Sequence, residues 1–171
     1  IRLTSEKVLG TPERITVNLP TLEKDMTIGD HIFINDGIVK LKVMEITGRD
    51  LVCSVRVGGM ISDRKGCNVP SSNISMTIPT DKDRKDMELI ARLDPEYVAA
   101  SFVGSADDVI RVRKLFKDLG NDSIKIISKI ERPRALSNID EIIDVSDGIM
   151  VARGDLGVEI PPREVPAAQK K

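Results

Sequence analysis

Ile124-Lys125-Ile126-Ile127-Ser128-Lys129-Ile130-Glu131 and, further on, Ser146-Asp147-Gly148-Ile149-Met150-Val151-Ala152-Arg153-Gly154-Asp155-Leu156-Gly157 are the two stretches that decide how this chain folds. Each contains a short apolar run, Ile126-Ile127 in the first and Ile149-Met150-Val151-Ala152 in the second, with charged residues following it. Between them Pro133 stands where a first helical turn accepts proline, and Leu136, Ile139, Ile142 and Ile143 share one helical face. Strand, helix and strand in that order imply parallel pairing through a right-handed crossover. The same grammar holds upstream. Thr80 can cap a helix running to about Arg92, and Tyr97-Val98-Ala99-Ala100-Ser101-Phe102 has the composition of a buried strand. Ser105 with Asp108 forms a variant capping box ahead of the stripe Val109, Val112, Phe116 and Leu119, which Gly120-Asn121-Asp122 ends. A last helix begins near Glu164. Three strand-helix units in a row belong to an α/β barrel or to an open doubly wound sheet, and since a complete (β/α)₈ barrel takes about 250 residues, only part of one is expected.

Before Pro79 the period is two. Arg14-Ile15-Thr16-Val17, His31-Ile32-Phe33-Ile34, Val39-Lys40-Leu41-Lys42-Val43 and Leu51-Val52-Cys53-Ser54-Val55 alternate apolar with polar, as half-buried strands do. Asn35-Asp36-Gly37 and Thr47-Gly48-Arg49-Asp50 supply hairpin connections, because Gly and Asn tolerate positive φ. A small β-barrel or sandwich fits this half, with the boundary around Ser71 to Ile78. Both ends read as cuts, Ile1-Arg2 in an extended segment and Lys170-Lys171 within a helical pattern, so a longer natural protein is expected.

With 26 Lys+Arg against 27 Asp+Glu and 2 % aromatic residues, the chain offers neither an electrostatic track nor a stacking platform for nucleic acid. No apolar run approaches the roughly 20 residues of a membrane helix. Cys53 and Cys67 follow no metal spacing, and no basic-then-apolar signal pattern opens the chain, so a reducing cytoplasm is the simplest compartment. Both cysteines read as packing residues, the methionines as core filler, and His31 as surface rather than as a base.

In parallel α/β folds working groups gather at the carboxyl ends of strands. Lys129, Glu131 and Asp155 fall there. Glu131 and Asp155 are too far apart along the chain for one helix, yet neighbouring strands about 4.8 Å apart could bring both carboxylates to one ion. Two carboxylates suit Mg²⁺ or Mn²⁺, which leave other positions to water and substrate oxygens and so imply a phosphate or carboxylate substrate. Lys129 stands two residues before Glu131, on the same side of the strand, where its ammonium could stabilise developing negative charge. The glycines of Arg153-Gly154-Asp155-Leu156-Gly157 let backbone amides approach an anion. Spacing alone leaves plainer alternatives open: a solvated Lys-x-Glu ion pair, and a turn at Asp-x-x-Gly.

The wording of these stretches, from Ile126 to Glu131 and from Ser146 to Pro161, resembles the active-site region of pyruvate kinases. The resemblance extends to Ala100-Ser101-Phe102, Lys65-Gly66-Cys67-Asn68-Val69-Pro70 and Asn35-Asp36-Gly37, and so covers nearly the whole chain. It implies a partial (β/α)₈ TIM barrel, residues 73–171, and an all-β lid domain of β-barrel type, residues 1–72, with the end of a barrel strand at Ile1-Arg2. It further implies that Lys129 is the catalytic lysine, that Glu131 and Asp155 hold Mg²⁺ or Mn²⁺, that Lys129, Gly154 and Asp155 contact phosphoenolpyruvate, and that Lys65 meets the nucleotide phosphates. Ser101 would support these groups, and Arg2 resembles the arginine closing the strand into the lid. The implied reaction takes the phosphoryl group of phosphoenolpyruvate to ADP, giving pyruvate and ATP, in a cytoplasmic homotetramer. K⁺ is possible, but the family's ligands for it lie before Ile1, and further substrate and effector contacts lie beyond Lys171. Arg132 stands where many relatives have asparagine, and Ser71 where a glycine is common. Two alternatives share part of this chemistry: a metal-dependent carbon-carbon lyase or aldolase on a related barrel, and a folded module that is inactive by itself.

Overall fold

A computed structural model describes residues 1–70 and 78–171. The chain divides into two compact units, Ile1–Ser75 and Met76–Lys171. The expected domain boundary at residues 72 and 73, and Ser71 with it, lies outside the described residues.

In the first unit, β1 (Arg2–Thr4), β2 (Arg14–Thr16), β3 (His31–Ile34), β4 (Val39–Thr47), β5 (Asp50–Val57) and β6 (Cys67–Asn68) form one sheet in the order β2-β1-β5-β4-β3-β6. Among the described residues of this unit only β1 and β2 pair parallel. The alternation read from the sequence is the one that builds the core: Ile32 and Ile34 on β3 and Val39, Leu41 and Val43 on β4 point inward, joined by Leu3, Leu51 and Cys53. Leu22, on a one-turn helix α1 (Leu22–Asp25), completes it. Asn35, Asp36 and Gly37 all take positive φ between β3 and β4, and Gly48 takes φ 60° in the two-residue turn before β5. Where a closed β-barrel would join its edge strands, β2 and β6 do not pair with each other among the described residues. Arg2, expected to end a barrel strand, is the first residue of β1 in this six-stranded sheet. Burial pushes the Cys53 thiol up to about 11, the state of an inert packing residue.

The second unit alternates helix and strand. Helix α2 (Asp81–Leu93) opens with a reciprocal capping box: Asp83 N–H donates to Thr80 Oγ1 (3.2 Å), and Thr80 N–H donates to Asp83 Oδ2 (2.9 Å). It leads to β7 (Tyr97–Ala100), α3 (Ala106–Asp118), β8 (Lys125–Ile130), α4 (Pro133–Ser137), α5 (Ile139–Val145) and β9 (Gly148–Val151), followed by α6 (Arg153–Glu159) and α7 (Val165–Lys170). The strands lie in the order β7-β8-β9, all parallel, as successive strand-helix units require. Val109, Val112 and Phe116 of α3 and Ile142 of α5 pack with Ile126 and Ile130 of β8, each such burial contributing about 1.5–3 kcal/mol.

Local expectations are corrected in three places. Tyr97–Ala100 is half exposed rather than buried, because β7 is an edge of the described sheet. The helix after Pro133 is two helices that meet at Asn138, whose side-chain amide donates to the Gly104 carbonyl (2.8 Å). Beyond that junction Ile142 is buried while Ile143 is half exposed. Finally, Arg153 to Glu159, where the plainer reading of Asp-x-x-Gly is a turn, forms a seven-residue helix. Among the described residues no helix is long and apolar enough to cross a membrane.

Candidate active site

The pleat of β8 sorts its side chains by role. Ile126, Ser128 and Ile130 are buried on the helix-covered face, so Lys129 and Glu131 must project from the other, at the carboxyl end of the strand. There the Lys129 ammonium lies 2.5 Å from Glu131 Oε1 and donates to Ser101 Oγ at 3.0 Å, bringing the end of β7 to the end of β8. The Glu131 side chain is 3 % exposed and that of Lys129 23 %, so this is a desolvated pair and not the solvated one that the spacing alone allowed. A carboxylate so enclosed is tolerable only when compensated. Its other oxygen, Oε2, accepts the backbone N–H of Phe102 at 2.9 Å.

That amide is aimed by an unusual backbone. Phe102 has φ 61°, the left-handed region, which costs a bulky residue of order 1 kcal/mol. The loop around it is fastened on several sides. Asp108 Oδ2 accepts the N–H groups of Gly104 (2.8 Å) and Ser105 (3.1 Å), while Arg111 pairs with the other oxygen. The Arg132 guanidinium lies 5.0 Å from the centroid of the Phe102 ring. Burial lowers the Arg132 pKa, against the raising influence of Glu159, Glu131 and Asp108.

Asp155 and Gly154 stand at the neighbouring strand end. Ile130 is in register with Val151, and Ala152 N–H donates to the Ile130 carbonyl (3.2 Å), so the residue before α6 is tied to the residue before Glu131. Asp155 lies in the first turn of α6, exposed and with no partner among the described residues. A Cβ at Gly154 would meet nothing within 4 Å, so no protein contact demands glycine there and the backbone stays open to an anion. Lys65 belongs to the first unit, exposed and unpaired among the described residues. Arg2, in the same unit, lies 3.9 Å from Asp50.

Glu131 and Asp155 carry the oxygen donors that a hard divalent cation takes. Both candidate ligands are carboxylates, and no cluster of three or more His, Cys, Asp or Glu side chains suited to a metal occurs among the described residues. A softer ion would call for sulfur or imidazole, whereas two carboxylates leave positions for substrate oxygens.

A family model described as the pyruvate kinase barrel domain matches residues 2–171. The chain belongs to the pyruvate kinase family. It is 46% identical over 169 residues to the pyruvate kinase of Thermotoga maritima, with 99% of this chain and 36% of that protein covered. Against the pyruvate kinase of Clostridium perfringens the identity is 43% over 165 residues, covering 96% of this chain and 35% of the relative. Against that of Trypanoplasma borreli it is 42% over 164 residues, with 96% and 32% covered. The chain thus spans about a third of the length of these pyruvate kinases. Sequence reasoning named Lys129, Glu131 and Ser101, which the structure joins, but it missed the Phe102 amide. A phenylalanine after a strand gives no signal that its backbone turns left-handed.

Proposed function

We propose that the protein to which this chain belongs is a pyruvate kinase, transferring the phosphoryl group of phosphoenolpyruvate to ADP to give pyruvate and ATP. The observation that carries this reading is the desolvated Lys129–Glu131 pair, 2.5 Å apart at a strand end, with Asp155 opening the helix after the next strand. Glu131 and Asp155 would hold Mg²⁺ or Mn²⁺, which when bound neutralises charge on phosphate and enolate oxygens. Lys129 would bind the transferring phosphoryl group and steady negative charge as the bond to the enol oxygen breaks and one to an ADP oxygen forms. Ser101 holds the ammonium in place for that role. Gly154 and Asp155 would contact the carboxylate end of phosphoenolpyruvate, supported by the open backbone at Gly154. Lys65, an unpaired exposed cation, would meet the nucleotide phosphates.

The proposed architecture is a partial (β/α)₈ barrel over residues 73–171 and a β-barrel lid over residues 1–72. The three parallel strands and the separate β-rich unit support it. Family membership supports K⁺ dependence, a homotetramer and a cytoplasmic setting for the whole protein. The 171-residue chain alone is proposed to be inactive, since positioning supplies most of the catalysis in phosphoryl transfer.

The test is ATP formation from ADP and phosphoenolpyruvate by the full-length protein with Mg²⁺, comparing wild type with Lys129→Met. Turnover in the variant is expected to fall about 10³-fold. Equal turnover would remove Lys129 from the mechanism, and no ATP from the wild type would remove the activity.

A further inference from the structure

Residues 131 and 132 seize the same neighbour in two ways. Glu131 accepts the Phe102 N–H at 2.9 Å, and the Arg132 guanidinium lies 5.0 Å from the centroid of the Phe102 ring. Consecutive residues in extended backbone, where Arg132 has φ -130° and ψ 151°, project to opposite sides, so together they close around residue 102. The gripped residue is also the strained one, at φ 61°. Such a conformation persists only where its surroundings over-determine it. Further along the loop the Gly104 N–H is held by Asp108 and the Gly104 carbonyl by Asn138, whereas among the described residues the hydrogen bond and the cation-ring contact of Phe102 come from its neighbours at 131 and 132.

We infer that Arg132 is a positioning residue: its packing on the Phe102 ring keeps the left-handed turn whose amide fixes the orientation of the Glu131 carboxylate. With Oε2 committed to the amide, Oε1 is left to face Lys129. Rotation of the carboxylate would break both interactions, so the ring contact determines how Glu131 presents its remaining lone pairs. An asparagine at this position could not stack a planar cation on the ring, so the contact depends on the guanidinium of Arg132. The consequence for metal binding rests on the proposed assignment of Glu131 as a ligand. The consequence for the Phe102 amide does not.

The experiment uses the full-length protein with Mn²⁺ alone as probe, titrated by electron paramagnetic resonance, and hydrogen exchange at the Phe102 amide without metal. Arg132→Asn is expected to speed exchange of that amide and to weaken Mn²⁺ binding, each by roughly tenfold. Arg132→Lys, which keeps a cation over the ring, should recover most of both. Phe102→Leu keeps apolar bulk without an aromatic face and should match Arg132→Asn, and the double variant should be no worse than either single one. Unchanged amide exchange in Arg132→Asn, or additive losses in the double variant, would overturn the inference. Should Arg132→Asn not fold, wild-type exchange and affinity in Phe102→Leu would overturn it equally. Glu131→Gln separates the two levels: unchanged Mn²⁺ affinity there rejects Glu131 as a ligand, while exchange of the Phe102 amide still judges the grip.

Discussion

Glu131, Asp147 and Asp155 carry the same chemical group in one small part of the second unit, yet folding treats them differently. Glu131 is enclosed, with an ammonium on one oxygen and an amide on the other. Asp147, just ahead of β9, accepts the Ile126 N–H at 2.8 Å and pairs with Arg113 at 2.7 Å, but its side chain is 32 % exposed. Asp155 is exposed and has no partner among the described residues. The series teaches that one half of the candidate metal site is set by the fold, while the other half is free for an incoming ligand. A group meant to bind can be left unpaired only where water solvates it meanwhile.

Three substitutions can break or refine this ordering. Glu131→Ala should cost the most, about 3 kcal/mol of unfolding free energy, because it leaves the Lys129 cation without its anion and the Phe102 amide without its acceptor. Chemical denaturation would measure it, and a loss below about 1 kcal/mol would mean that the pair is effectively solvated. Asp147→Asn should cost about 1 kcal/mol at neutral pH, discounted for its exposure. The Ile126 amide and then Arg113 hold its pKa below the ordinary carboxylate value. Its contribution is therefore complete above the unfolded pKa and is lost as pH falls through the lower folded one. The stability difference between wild type and Asp147→Asn should stay constant above about pH 5 and shrink in more acid solution. A difference that grew on acidification would contradict the direction of the shift. Asp155→Asn should change stability by less than about 0.5 kcal/mol while weakening Mn²⁺ binding in the full-length protein. A large stability loss would place Asp155 with Glu131 and erase the contrast.

The parallel strands were legible because β8 and β9 are short apolar runs separated by a proline-led helical pattern, and periodicity reports which residues can share a face. The break at Asn138 was not legible, since it depends on a hydrogen bond to Gly104, 34 residues away. Ile143 was misplaced for the same reason: a helix restarted at Asn138 keeps Ile142 inward, as expected, but leaves Ile143 half exposed. In the first unit the alternation on β3 and β4 placed five core residues correctly, but which strands pair at the edges is a long-range matter that alternation does not encode.

By itself the sequence determined the chemistry available: a lysine and two carboxylates at strand ends, glycines beside them, and the wording that marks the pyruvate kinase family. The tertiary structure decided which of those groups is preorganised. Burial and partner geometry arise only when β7, β8 and the loop after β7 meet. Composition could not reveal that Phe102, turned into a left-handed conformation, hands its amide to Glu131.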